Sequence, residues 1–226
     1  MTGRKLAFGL TVLLISGCSA PATLVLKRPA ASSSLRALST AESLYPLSVG
    51  IEWRYQTVSR TGDGNERPGE DHRFRISECA GGPEGTSAVM ERWYGDRPFP
   101  ATAILRTGES VVLSRQGHPE QGSITILKFP LRSAQPWPGR TWSQAKEMIS
   151  FVGTESIEVP AGVFESYHLE HDITYANETQ DKLHYWYAPG VGMIKAIEGL
   201  HVDLGQGSVY QEVKTELKRF EKNGEQ

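Results

Sequence analysis

Short stretches of alternating apolar and polar residues follow one another from Tyr45 to near the C-terminus. Most of them end at Gly, Pro, Asn or Asp, which is typical of β-strands joined by turns. The predicted strands cover residues 51–60, 72–79, 86–94, 102–106, 111–115, 123–129, 141–159, 163–175, 182–187, 191–198 and 208–220.

The alternation is clearest between Val163 and Tyr175, where it has the two-residue period of a strand. One side of this strand is largely apolar, although Glu165 and His171 fall on it, and the other side is polar. The apolar side holds Val163, Tyr167, Leu169, Ile173 and Tyr175, and the polar side holds Ser166, His168, Glu170 and Asp172. We therefore expect one face to be buried and the other to face solvent.

The strand pattern predicts an all-β fold, because no long helical segments alternate with the strands. The run 208–220 also fits a helical stripe, but its β-branched residues favour a strand. About 10–11 antiparallel strands accumulate twist, so the sheet should curl into a half-barrel, a barrel or a related curled sheet. This β domain is expected to span residues 45–222, with any ligand on the concave face.

The N-terminus has the layout of a bacterial lipoprotein signal peptide, predicted over residues 1–17. Arg4 and Lys5 precede an apolar stretch that is too short to cross a bilayer, which needs about 20 residues. Ile15-Ser16-Gly17-Cys18 then resembles the lipobox. This resemblance implies cleavage before Cys18 and acylation of its thiol, including palmitate, so that the lipid attaches the protein to a membrane.

Ser19 follows the lipobox cysteine, and by resemblance to such lipoproteins this favours the outer membrane, with the protein facing the periplasm. Residues 18–44 are rich in small and helix-breaking residues, which predicts a flexible tether behind the lipidated cysteine. A short helix near residues 35–44 is compatible with the sequence.

Charge and cysteine content limit which partners and which cross-links the protein is expected to have. Removal of residues 1–17, which include Arg4 and Lys5, changes the formal net charge from −2 to −4, and the chain has no basic block. We therefore expect no nucleic-acid partner. Acylation of Cys18 leaves Cys79 without a disulfide partner, and a structural thiol is the simpler interpretation of it.

Three motifs stand out in the β domain: Tyr45–Tyr55, Val159–Phe164 and Tyr185–Lys195. Together they resemble a family of uncharacterised secreted and lipid-anchored bacterial β-proteins with PLxxGxxWxY, VPAGxF and WYAPGVGxVK signatures. The resemblance covers most of residues 45–220 and implies a fold, but it brings no catalytic residues.

Aromatic residues are concentrated in these motifs and have two interpretations: they fill the core, or they line a binding face for an amphiphile or carbohydrate. The residues predicted to contact a ligand are Trp53, Tyr55, Trp142 and Trp186. Because neighbours on a strand face opposite sides, Tyr185 and Tyr187 must face away from Trp186.

The sequence contains no familiar catalytic motif, so we predict no catalytic residue, no metal site and no cofactor. His168 and His171 should lie on opposite faces of their strand, whereas His184 could approach either from a neighbouring strand. The leading hypothesis is a non-enzymatic envelope lipoprotein that binds a hydrophobic ligand or a partner protein. The alternatives are an assembly factor that docks onto another envelope protein, or a hydrolase with an unfamiliar site.

Overall fold

The computed structural model describes residues 40–62, 64–117, 122–141, 145–203 and 208–222. Thirteen strands and one short helix, α1 (Ala41–Leu44), make up nearly all of this part of the chain. The strands are β1 (Glu52–Thr61), β2 (Glu66–Pro68), β3 (His72–Gly82), β4 (Gly85–Tyr94), β5 (Arg97–Arg106), β6 (Ser110–Arg115), β7 (Ser123–Lys128), β8 (Trp137–Thr141), β9 (Ala145–Val159), β10 (Gly162–Tyr175), β11 (Gln180–Ala188), β12 (Gly192–Asp203) and β13 (Ser208–Glu221).

All thirteen strands belong to one antiparallel sheet, which confirms the predicted all-β class. Its order is β7-β6-β5-β4-β3-β1-β13-β12-β11-β10-β9-β8, and β2 pairs with β1. The first and last strands are therefore neighbours in the middle of the sheet. The two strands at its ends, β7 and β8, are consecutive in the chain, so the sheet must curl for residues 129–136 to join them.

Trp137 marks the place where the curled sheet nearly closes into a barrel. Its indole Nε1 donates a hydrogen bond to the backbone oxygen of Thr125 at 2.8 Å, which links β8 to β7. The Trp137 side chain is buried, and Ile149 on β9 is its register partner. We call this junction between β7 and β8 the seam.

The structure has more strands than the predicted 10–11, and composition explains the difference. β2 is short and fully exposed, so it has no apolar alternation to detect. β8 contains a proline and a glycine, which are depleted in strands and which the sequence pattern marks as a turn. The two prolines in the first half of β5 explain in the same way why this strand is longer than the predicted 102–106.

The ambiguous C-terminal run is a strand, as predicted. β13 pairs with β1 on one side and β12 on the other, and Thr215 and Leu217 are buried on its inner face. A helix here would leave backbone groups of both neighbours without partners.

Helix α1 packs against one end of the curled sheet. Thr40 caps its N-terminus, and the side chains of Ala41 and Leu44 are buried. The backbone N–H of Gly190, between β11 and β12, donates to the oxygen of Ser43 at 2.7 Å. Within the described ranges, no helix has the length and apolar character needed to span a membrane. The predicted signal peptide, Cys18 and the tether up to residue 39 lie outside the described residues.

Candidate functional site

The curled sheet encloses a cavity of about 740 Å³. Inward-facing side chains from most of the strands line it, and most are aliphatic or aromatic, including Trp53, Tyr55, Phe74, Met90, Leu113, Ile124, Ile126, Ile173, Leu183, Tyr185 and Tyr187. A volume of this size is within the usual range of small-molecule sites, which are concave and mainly apolar. The concave face is therefore hollow rather than filled by the core.

Alternation along β10 and β11 determines which side chains reach the cavity. On β10, His171, Ile173 and Tyr175 line it, all from the side predicted to be apolar. On β11, Tyr185 and Tyr187 line it, and Trp186 between them has the opposite orientation. The predicted two-residue period is thus present in the sheet.

Two of the predicted ligand-contact residues, Trp53 and Tyr55, line the cavity, and both side chains are buried. Their polar atoms bond to backbone of the third sequence motif. Trp53 Nε1 donates to the oxygen of Val191 at 2.6 Å, and the Tyr55 hydroxyl donates to the oxygen of Met193 at 3.0 Å. These bonds join the first and third motifs, and they leave only the aromatic rings to contact a ligand.

Trp186 does not line the cavity, and Trp142 lies outside the described residues. On the outer side of the sheet, the Trp186 indole stacks on the His168 ring, with centroids 4.5 Å apart, and donates to Glu155 Oε1 at 2.7 Å. Its neighbours bury it almost completely. Ligand contact by either tryptophan stays a prediction.

The outer face also brings His168 and His184 together, with Nε2 of the first 3.0 Å from Nδ1 of the second. Burial and the nearby His184 lower the pKa of His168. His171 lies on the opposite face, as predicted. Among the described residues, no group of three or more His, Cys, Asp or Glu side chains could hold a metal ion. Cys79 is partly exposed, and its Sγ lies 3.7 Å from the oxygen of Leu47.

Four polar residues form a connected group on the mainly apolar cavity wall: Glu147, His171, Tyr185 and Glu198. His171 Nδ1 lies 2.7 Å from Glu147 Oε1, and the Tyr185 hydroxyl donates to Glu198 Oε1 at 2.6 Å. The rings of His171 and Tyr185 are in contact, with centroids 4.5 Å apart. We call these residues the polar cluster.

Sequence reasoning missed Glu147, although a signal was present. Ala145, Glu147 and Ile149 share one side of β9, so the glutamate interrupts an apolar alternation. A charged residue at an inward position is unusual unless it has a partner. Its partner His171 comes from another strand, β10, and interrupts an apolar face in the same way.

The surroundings of Glu147 keep its carboxylate ionised. Burial acts to raise its pKa, but hydrogen bonds from His171 and from the backbone N–H of Arg140, at 2.7 Å, outweigh burial and hold the pKa below its ordinary value. A Cβ atom on Gly139 would lie 2.6 Å from Glu147 Oε2, so only glycine leaves room for this carboxylate.

His72 and Tyr94, two half-buried residues that line the cavity, form an aromatic group with the exposed ring of Phe99. The Tyr94 ring lies 4.1 Å from His72 on one side and 4.1 Å from Phe99 on the other, between centroids. Phe99 is 41% exposed, whereas Tyr55, deeper in the cavity, is buried. We call His72, Tyr94 and Phe99 the aromatic rim.

Comparisons with known proteins agree on the fold. The DUF3108-like family model matches residues 149–198, a segment that includes His171, Tyr185 and Glu198. A Bacteroides fragilis protein described as exported, with a YmcC-like fold, is 13% identical; the alignment covers 80% of this chain and 99% of that one, with a TM-score of 0.54.

A Parabacteroides distasonis protein described as a lipoprotein is 14% identical over 79% of this chain and 98% of that one, with a TM-score of 0.51. The Escherichia coli protein YmcC, described as a hypothetical lipoprotein, is 11% identical over 82% and 96% of the two chains, with a TM-score of 0.31. No curated protein matches the sequence. The similarity to the Bacteroides fragilis and Parabacteroides distasonis proteins, with TM-scores above 0.5, concerns the fold, and the chain has the YmcC-like fold described for the first of them.

Proposed function

We propose that this protein is a lipid-anchored envelope protein that binds a hydrophobic or amphiphilic ligand, without turning it over, inside its curled sheet. The hollow interior carries the proposal, because a sheet that served only as a scaffold would gain stability by filling a space of about 740 Å³ with side chains. Burial of each ligand methylene contributes about 0.8 kcal/mol, so a chain of ten carbons contributes enough for firm binding.

The ligand enters the cavity past the aromatic rim. Helix α1 packs beside the turn between β11 and β12, where Gly190 donates to the oxygen of Ser43 and Leu44 is fully buried. Aromatic rings at an exposed edge contact both water and an apolar chain favourably.

Filling the cavity should abolish binding. Ala196 is buried and lines the cavity, so Ala196→Phe is expected to weaken binding of the neutral fluorescent probe N-phenyl-1-naphthylamine at least tenfold. Ala103→Phe is the matched control, because Ala103 lies between buried Thr102 and Ile104 on β5 and faces the other side. Binding is measured by fluorescence titration of the full-length chain. Failure of the unsubstituted protein to bind the probe, or equal binding by both variants, contradicts the proposal.

The second part of the proposal is that a lipid on Cys18 anchors the protein to a membrane. The lipobox supports acylation of Cys18, and the structural neighbours described as exported or as lipoproteins support an envelope location.

Replacement of Cys18 tests the lipid anchor. Cys18→Ser should prevent acylation and move the protein from the membrane fraction to the soluble fraction, or stall it as a precursor. Cys79→Ser is the control and should stay at the membrane. Unchanged fractionation and mass of the Cys18 variant would contradict the assignment, and outer-membrane residence is tested by separating the two membranes.

A further inference from the structure

The polar cluster contains a buried imidazole nitrogen that belongs to a residue of the cavity wall and lacks a hydrogen-bond partner among the described residues. Both side chains of the Glu147–His171 pair are buried, with 5% and 4% of their surfaces exposed. Because Glu147 is ionised and accepts at 2.7 Å, the proton of the His171 imidazole lies on Nδ1. In the neutral ring, Nε2 is then a hydrogen-bond acceptor with a free lone pair.

His171 Nε2 is buried and has no hydrogen-bond partner among the described residues, where no other buried side-chain nitrogen or oxygen lacks one. His171 itself lines the cavity. Buried polar atoms are nearly always paired, and an unpaired one is costly, so this atom calls for a partner that comes from outside the chain.

We infer that the ligand carries a neutral hydroxyl group that donates a hydrogen bond to His171 Nε2, as in a long-chain alcohol or a monoacylglycerol. This inference rests on the proposed function and identifies the ligand's polar end. Ile173 and Leu183 are apolar neighbours of His171 on the cavity wall, and the alkyl chain extends along them.

Charge favours a neutral head over a carboxylate. The carboxylates of Glu147 and Glu198 both belong to the polar cluster, and a second or third negative charge in a buried space is unfavourable. The Tyr185 hydroxyl already donates to Glu198, so its proton is not available for a hydrogen bond to an anionic ligand. Arg92 and Arg140 also line the cavity, which makes a fatty-acid carboxylate the competing outcome.

Three ligands with the same chain separate these possibilities: 1-dodecanol, its methyl ether and dodecanoate. Each displaces N-phenyl-1-naphthylamine from the full-length chain at neutral pH. The alcohol is expected to bind about fivefold to tenfold more tightly than the ether, because one hydrogen bond is lost in the ether. Tighter binding of dodecanoate than of the alcohol overturns the neutral-head assignment.

His171→Asn tests the role of Nε2 itself. The asparagine amide can still donate to Glu147 from the position of Nδ1, but it has no acceptor where Nε2 lies. This variant should bind the methyl ether as the unsubstituted protein does and lose the preference for the alcohol. Circular dichroism and thermal unfolding show whether it folds, and Glu147→Leu/His171→Leu provides a second variant without Nε2.

The outcomes distinguish the two proposals. If none of the three ligands displaces the probe, the proposal that the cavity binds a hydrophobic or amphiphilic ligand is wrong. If alcohol and ether bind equally, or if His171→Asn keeps the preference for the alcohol, the cavity binds a chain but His171 does not recognise its head, and Nε2 bonds to solvent.

Discussion

Replacement of Trp137 with alanine is expected to lower the free energy of unfolding by about 3–5 kcal/mol, the range for truncating a buried aromatic residue. The indole is 3% exposed, packs in the main core and donates to the Thr125 oxygen across the seam at 2.8 Å. The substitution removes both the buried area and the direct link between β7 and β8.

Two matched variants separate packing from hydrogen bonding at the seam. Trp137→Phe keeps an aromatic ring but lacks the indole donor, so it should cost about 1 kcal/mol. Trp93→Ala removes a partly exposed tryptophan whose main contact is the Arg73 guanidinium, 4.0 Å from its ring, and this should also cost about 1 kcal/mol. Urea denaturation measures all three. A Trp137→Ala protein as stable as Trp93→Ala would show that the seam contributes little to the fold.

Much of the fold could be predicted from the sequence, because period two along a strand is a local property. Between Leu169 and Tyr175 the alternation correctly separates the inner side of β10 from its outer side. Nearer the start of the strand the expectation is wrong, because Val163 is 63% exposed and Ser166 is fully buried, where its hydroxyl donates to the oxygen of Glu155. The opposite orientations of Trp186 and its two tyrosine neighbours follow from the geometry of one strand. The class of fold and the curling of the sheet follow from strand number and twist.

The hollow interior could not be predicted, because it depends on how far the sheet closes. Closure is set at the seam, where a Pro-Gly strand that resembles a turn pairs with β9. The surroundings of Trp186 could not be predicted for the same reason, because they depend on contacts between strands. Its burial on the outer face comes from Glu155 and His168, which lie on β9 and β10. Such contacts between strands leave no local pattern in the sequence.

Glu147 and His171 offer a double-variant test of why a hydrogen-bonded polar pair is kept inside the cavity. His171→Leu leaves an ionised carboxylate buried with the backbone N–H of Arg140, so it should cost about 3–5 kcal/mol. Glu147→Leu removes the partner of Nδ1 and leaves both ring nitrogens without bonds, at about 1–3 kcal/mol. Because leucine restores apolar packing at both positions, Glu147→Leu/His171→Leu should return close to the original stability.

The pH dependence of stability should also show the contribution of the Glu147–His171 pair. The pKa of Glu147 in the folded protein lies below its ordinary value of 4.5, so the stability it contributes is present above pH 4.5. That contribution is lost as the pH falls through the folded pKa, where the carboxylate takes up a proton. Urea denaturation between pH 7 and pH 3 should therefore show a smaller loss of stability in the double variant than in the unsubstituted protein.

The decisive experiment measures two properties of Glu147→Leu/His171→Leu: its free energy of unfolding and its preference for the alcohol over the ether. If the pair serves recognition, this variant is nearly as stable as the original and binds 1-dodecanol and its methyl ether equally well. If the pair serves the fold, the double variant is as unstable as the two single variants combined. A stable double variant that still prefers the alcohol would place the hydroxyl contact elsewhere on the wall. Because replacing a buried polar pair with apolar residues of similar volume is often neutral for stability, a stable double variant without the preference for the alcohol would assign the pair to recognition rather than to the fold.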